Sequence, residues 1–159
     1  MELTQVSPDA VTLWRLAGVL RSGFTTVMLV VPAGVALKVA TELSAWVAVG
    51  IVLAAAALLV IQAIAWPGLT WRYLGYGVRD HDLLLQRGVL FRRRTSVPLN
   101  RIQHVDTHQG PLERFFGLSS LLVYTASTMS ADAVIPGLDE QTAESLRDEL
   151  ARRGGDDGV

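Results

Sequence analysis

Three side chains suited to chemistry lie on one alternating stretch. Residues 102 to 109 read Ile-Gln-His-Val-Asp-Thr-His-Gln, and along a strand every second side chain shares a face. His104, Asp106 and His108 then point the same way. Two imidazoles and a carboxylate on one face could hold zinc or a similar ion. A structural metal site also needs a fourth ligand and outer partners, and His81 is the one other histidine. The plainer reading is the solvated face of an antiparallel strand. The expectation is no bound metal and no cofactor.

The second cluster is Arg92-Arg93-Arg94. On a strand Arg92 and Arg94 share a face and Arg93 takes the other. Guanidinium groups grip phosphate bidentately, so these three, with Arg72, are candidate lipid-headgroup contacts. From Trp71 to Arg114 there are eight arginines against four acids, whereas Asp132 to Val159 holds eight acids and three arginines. A basic segment directly after an apolar helix suggests anionic headgroups; it also serves as a topology signal alone. No enzyme signature appears: no Gly-rich phosphate loop, no G-x-S-x-G, no helical histidine pair around a glutamate. Ser119-Ser120 and Ser127-Thr128 read as turn residues without a base beside them. Cysteine is absent, which excludes disulfides, thiolate metal sites and a cysteine nucleophile. Nothing points to nucleic acid.

The elements that must position these residues begin with the stretch from Trp46 to Trp66. Gln62 is its only polar side chain between the tryptophans, and it carries no charge. As a helix it is roughly 30 Å long, about the hydrocarbon thickness of a bilayer, with tryptophan at both ends where the interface would lie. Upstream, Ser7-Pro8-Asp9 opens a helix. That helix carries Trp14, Arg15 and Arg21 as interfacial anchors and continues through the uncharged run Ser22 to Leu37, with a kink expected at Pro32 and Gly34. The expected spans are residues 16–37 and 45–66. The short connection from Lys38 to Ser44, with Glu42, makes them an antiparallel hairpin. Arginines 15, 21, 72 and 79 flank one side, so the positive-inside rule places both termini in the cytoplasm. A cleaved signal peptide would leave the second span to orient itself, and an uncleaved hairpin accounts for both spans.

The chain has 159 residues, half of them hydrophobic, and a mean hydropathy of +0.35. That is high for a soluble domain and low for a multi-span transporter, so half the chain must be soluble. Pro67-Gly68 is expected to end the second helix. Strands then follow: Trp71 to Val78 across the Gly75-x-Gly77 bend, Leu83 to Arg87, Phe91 to Leu99, Ile102 to Gln109, Leu121 to Thr125 and Ala133 to Ile135. A helical turn at Pro111 to Phe116 interrupts them. A final helix, Glu140 to Arg153, shows Ala143, Leu146 and Leu150 on one stripe, before a frayed tail at residues 154–159. The fold class is α+β: a small barrel or sandwich closed by a helix.

Several stretches carry a family resemblance: Thr95-Ser96-Val97-Pro98-Leu99-Asn100-Arg101-Ile102-Gln103-His104-Val105, then Gln109-Gly110-Pro111-Leu112-Glu113-Arg114-Phe115-Phe116-Gly117-Leu118, then Val123-Tyr124-Thr125-Ala126, with Pro8 to Trp14-Arg15 upstream. They resemble the bacterial pleckstrin-homology-like domain of the second type, and the resemblance covers essentially the whole chain. It implies a two-helix transmembrane hairpin (residues 1–69) followed by a PH-like β-barrel at residues 70–153, one end plugged by the C-terminal helix. Phe115, Phe116 and Leu118 read as core, and Arg114 could pair near Glu113 or with Asp106. Related PH domains hold phosphoinositides with basic residues around their first two strands. Here the densest cluster falls on the third, which favours general attraction to anionic lipid. The expected function is a non-catalytic interaction or scaffold module in the bacterial inner membrane. It would assemble with itself, as a homo-oligomer, or with a related multi-PH-domain membrane protein. The alternative is an anionic-lipid-sensing module or an accessory subunit of an export or peptide-resistance system.

Overall fold

Alternation shapes the soluble half. In the computed structural model, which describes residues 3–41, 44–125 and 131–155, Leu83, Leu85 and Val97 are buried while their neighbours along the strands are partly or fully exposed. That period of two marks a sheet with one covered face. β2 (Gly75–Val78), β3 (Asp82–Arg87) and β4 (Arg93–Pro98) form an antiparallel meander. A 3-10 turn at Leu99–Arg101 leads to the second sheet, β5 (Ile102–His108), β6 (Leu118–Thr125) and β7 (Ala133–Asp139), also antiparallel. α4 (Pro111–Phe115) connects β5 to β6, and α5 (Glu140–Gly155) follows β7. The stripe Ala143, Leu146 and Leu150 is buried as α5 packs on β5, β6 and β7. Leu118, Leu121, Ile135, Leu138 and Leu150 are the largest fully enclosed side chains there. Each contributes about 1.5–3 kcal/mol by leaving water.

The first sheet holds a strand that sequence periodicity could not reveal. β1 is Thr4–Gln5, with Thr4 paired to Tyr76 and Gln5 to Gly75. Two residues are too few to show a period. The segment after β1 is tied down as well: Val6, Ala10 and Leu13 are buried, Ser7 N–H donates to the Gly137 carbonyl at 3.0 Å, and Trp71 Nε1 donates to the Val6 carbonyl at 3.0 Å. Met1–Leu13 and Leu69–Val159 thus form one unit, and Trp14–Gly68 forms another. The reading of residues 1–69 as lying outside the barrel therefore gives way, at its start, to a strand of the sheet. Chain order places the whole apolar segment between two hydrogen-bonded neighbours, β1 and β2.

The apolar unit draws on α1 (Asp9–Thr25), a π-helical turn at Thr26–Val30, α2 (Val31–Thr41) and α3 (Ala45–Tyr73). The continuous runs Asp9–Thr41 and Ala45–Tyr73 are long and apolar enough to cross a membrane, and in each only 6% of the most apolar window is buried. A helix in a soluble core would hide these side chains. Leu20, Phe24, Leu29, Leu53, Leu58 and Ile61 are instead each more than half exposed.

Several boundaries differ from the sequence reading. Pro67 does not end the second helix; α3 runs on to Tyr73, so Trp71 and Tyr73 are helical and the strand begins at Gly75. Proline removes one hydrogen bond, leaving the Ala63 carbonyl without its usual donor. Other helices can cover such freed groups. Here Arg15 Nε donates to the adjacent Ile64 carbonyl at 3.1 Å, and a Cβ built on Gly18 would stand 3.2 Å from the Ala63 oxygen, which marks how closely the α1 backbone approaches. The first span carries its irregularity at Thr26–Val30, just before Pro32, where the wider π turn accommodates the ring's clash with the residue four back. Gly34 packs against Val52, leaving no room for a side chain. Lys38 to Thr41 belong to α2, while Glu42 and Leu43 lie outside the described residues, as do Ala126, Ser127 and Thr128. β7 continues through Pro136-Gly137 to Asp139, and α5 includes Gly154 and Gly155, shortening the expected tail to 156–159, also outside the described residues.

Candidate functional site

The arginine cluster is built around the β3–β4 hairpin. Arg93 stands directly opposite Arg87 in register and Arg94 opposite Gln86. Arg94 Nε donates to Gln86 Oε1 at 2.8 Å. Arg92 is not on the strand, because β4 begins one residue later. It lies in the turn, its guanidinium carbon 5.4 Å from the ring centre of Tyr73, the last residue of α3. Such a cation over an aromatic face contributes about 0.5–1 kcal/mol where exposed. The three arginines expected on one strand are therefore spread over a turn and a strand, and Arg87 joins them. Arg72 is exposed in the last turn of α3, one residue before the Tyr73 ring. Arg87, Arg92, Arg93 and Arg94 are all exposed. Like charges placed directly opposite on neighbouring strands disfavour the pairing, so the Arg87–Arg93 pair is a cost that the fold alone does not require.

His104 and Asp106 do share a face: His104 Nε2 lies 2.8 Å from Asp106 Oδ1. The His104 ring also sits 5.9 Å from that of Tyr124, across the ladder. His108 does not join them. Four residues of strand span about 13 Å, too far for the two imidazoles to meet at one ion. Among the described residues no three histidine, aspartate or glutamate side chains are grouped to hold a metal.

The Gln109–Leu118 corner explains most of the motif that carries the family resemblance. Gly110 caps α4, Pro111 starts it, and Glu113 reaches back to accept from the Gly110 N–H at 2.7 Å. The other Glu113 oxygen accepts from Ser120 Oγ at 2.7 Å. Gln109 Nε2 donates to the Leu118 carbonyl at 2.9 Å, closing the corner. Gly117 has φ +63°, a conformation open to glycine, and Leu118 is buried. Nearby, burial raises the Tyr76 phenol above its ordinary pKa, with the Asp139 carboxylate adding to it. Two expectations fail at this corner. Phe115 is 83% exposed and Phe116 only half-buried, the two rings meeting edge to face at 5.4 Å. Five residues of helix cannot turn both rings inward when the single inward slot after them goes to Leu118. Glu113 spends both oxygens within the corner and Asp106 faces His104, so the partners expected for Arg114 are engaged elsewhere.

Of the five residues expected as interface anchors, Trp14, Arg21 and Trp66 line one cleft. Trp14, Arg21, Ser22, Thr25, Gln62 and Trp66 are among the residues lining a cavity of about 130 Å³. Gln62, the lone polar side chain of its span, opens onto this cleft. Ser22, Thr25 and Thr26 each return a hydroxyl hydrogen bond to a carbonyl three or four residues back, which satisfies them inside an apolar helix. Trp46, at the other end, is 86% exposed.

Sequence reasoning missed Leu90, Phe91 and Phe115 as exposed apolar residues. The signal available for the first two was a pair of large apolar side chains between Gly88 and the arginine run, where a turn would have to fall.

Residues 26–154 match the family model for the bacterial PH domain. The chain is 33% identical over 150 residues to the UPF0699 transmembrane protein YdbS of Bacillus subtilis (strain 168), covering 93% of this chain and 90% of that one. It is also 24% identical over 96 residues to the UPF0699 transmembrane protein YdbT of the same organism, covering 60% of this chain and 20% of that larger one. No solved structure matches. With two antiparallel sheets and a closing helix behind two apolar helices, and a relative named as a transmembrane protein along nearly its whole length, this chain belongs to the bacterial PH domain family as a membrane-associated member.

Proposed function

We propose that the protein is a non-catalytic docking module, held in the bacterial cytoplasmic membrane by a twice-crossing hairpin with both termini in the cytoplasm. Its α4 corner receives a protein partner, either a second copy or a larger membrane protein carrying domains of this kind. The observation that carries this reading is Phe115. Gln109, Gly110, Glu113 and Leu118 of the corner have work inside the fold, whereas Phe115, with Leu112 beside it at 38%, faces solvent. Exposed aromatic rings on a rigid frame are the usual anchors of protein interfaces. The pairing of β1 with β2 supports the topology, because a segment that leaves and rejoins adjacent strands must cross a bilayer an even number of times. The match of part of this chain to a fifth of a larger relative supports a partner of that kind.

The test is a photo-crosslinker placed at Phe115 in the full-length chain in native membranes, with Glu144 on α5 as control. A discrete adduct at position 115 and none at 144 is expected, its mass separating a second copy from a larger partner. No adduct at 115 in a chain correctly inserted would refute the docking role. A second reading, attraction to anionic lipid, is favoured by the unopposed Arg87–Arg93 pair.

A further inference from the structure

The turn between β3 and β4 ends in two of the most exposed large apolar side chains of the molecule. Leu90 is 76% and Phe91 89% exposed. The turn is tightly made: Gly88 has φ +110°, and a Cβ there would run into the Phe91 carbonyl oxygen. This backbone holds the pair outward on a two-residue tip. Arg87 precedes the tip and Arg92, Arg93 and Arg94 follow it, all exposed. The one acid on β2, β3 or β4 is Asp82, at the opposite end of the sheet, where it pairs with Arg79 and accepts from Ser96.

The register shows which end of the sheet this is. Gln5 pairs with Gly75, Gly75 with Gln86, and Arg87 with Arg93. The tip therefore projects from the end at which the chain leaves β1 and re-enters β2, the two points that connect this sheet to the apolar helices. Arg92 reaches back over Tyr73, seven residues along the chain from Trp66.

We propose that Leu90 and Phe91 form a wedge that enters the surface of the anionic bilayer in which the protein is anchored, with Arg87, Arg93 and Arg94 on phosphate headgroups. An apolar tip ringed by cations fits that surface because acyl chains take the rings while headgroups neutralise the arginines. The anion also accounts for two arginines standing opposite each other. A second copy of the same tip would bring the two sets of arginines together, which the charge forbids. This surface is separate from the α4 corner, and its fate is independent of protein docking there.

The chain has no cysteine, so a single reporter is easily placed. The full-length Leu90→Cys protein, carrying an environment-sensitive fluorophore, is put into nanodiscs of phosphatidylcholine with phosphatidylglycerol; Glu144→Cys serves as the wet control. The label at 90 should be quenched by lipids carrying a shallow doxyl group and shielded from aqueous iodide, with the reverse at 144. Adding Arg93→Gln should lower the inserted-to-free ratio about fivefold, the worth of one arginine near an anionic surface. Equal iodide quenching at 90 and 144 overturns the proposal. So does a label shielded from iodide yet untouched by doxyl lipid, since a protein then covers the tip.

Discussion

Two exposed apolar tips stand on the same soluble unit, and they are built by opposite means. At the α4 corner the backbone is fixed by side chains: Glu113 accepts two hydrogen bonds and Gln109 closes the loop, with Arg114 as the one exposed charge beside Phe115. At the β3–β4 tip the backbone at Gly88 makes the turn, side chains engage only at its flanks, Arg92 over Tyr73 and Arg94 on Gln86, and the surrounding charge is all of one sign. A rigid, hydrogen-bonded frame presents a ring to a shaped partner. A cationic collar around an apolar tip presents it to a surface without shape. The contrast assigns protein docking to the first and lipid to the second, and substitutions at the two sites separate those roles.

The largest effect is expected at Gly88. Alanine there meets both the positive φ and the Phe91 carbonyl, so the turn must rebuild at a cost of about 3 kcal/mol. Asparagine, which tolerates left-handed backbone, will not rescue it, because the collision is with Cβ itself. Thermal unfolding of the full chain in detergent measures this. Next comes Glu113→Ala, which leaves the Gly110 N–H and the Ser120 hydroxyl unpaired in a half-buried corner and costs about 2 kcal/mol. If Glu113→Ala were silent, the corner would not be the rigid frame described. Smaller again is Gly117→Ala, at about 1 kcal/mol. Its φ is also positive but open space surrounds it, so Gly117→Asn should recover most of the loss. Two glycines that share only a positive φ thus differ in whether asparagine can replace them.

Much of this was legible in the sequence where a period repeats long enough to be seen. The apolar length of the Trp46–Trp66 run, the shared face of His104 and Asp106 on β5 and the buried stripe of α5 are all stated in their spacing, and the corner motif carries its own capping chemistry; the irregularity that buries both Ile102 and Val105 on β5 is not. What escaped was decided at longer range. β1 is two residues whose only meaning is their pairing with Gly75 and Tyr76. Pro67 looked like a stop because its missing N–H was legible, while Arg15 and Gly18, which cover the freed region of α3, lie some 50 residues earlier. Phe115 read as core because apolar residues usually are, and Phe91 read as the first residue of a strand. Exposure there reflects competition for interior space, which Leu118 wins at one corner and which the turn at Gly88 denies at the other. Of the candidate sites, the arginine cluster was visible as a run, but its like-charge register with Arg87 required the ladder.

The smallest effect is the most informative about that register, because its sign is opposite to the others. Replacing Arg93 by threonine removes one of two facing guanidinium groups and puts a β-branched residue on a strand. Both changes favour the fold, by about 0.5 kcal/mol together. The gain should appear in detergent at low ionic strength and shrink as salt screens the pair, since both groups are exposed. In anionic nanodiscs it should vanish or reverse, because there the headgroups already neutralise the repulsion and threonine gives up a lipid contact. Arg94→Thr is the control: Arg94 faces Gln86, to which it donates, so its loss should not stabilise the chain in detergent. A stability gain for Arg93→Thr that persists unchanged in the anionic bilayer would mean that the collar meets no headgroups, and the two tips would then no longer differ in what they touch.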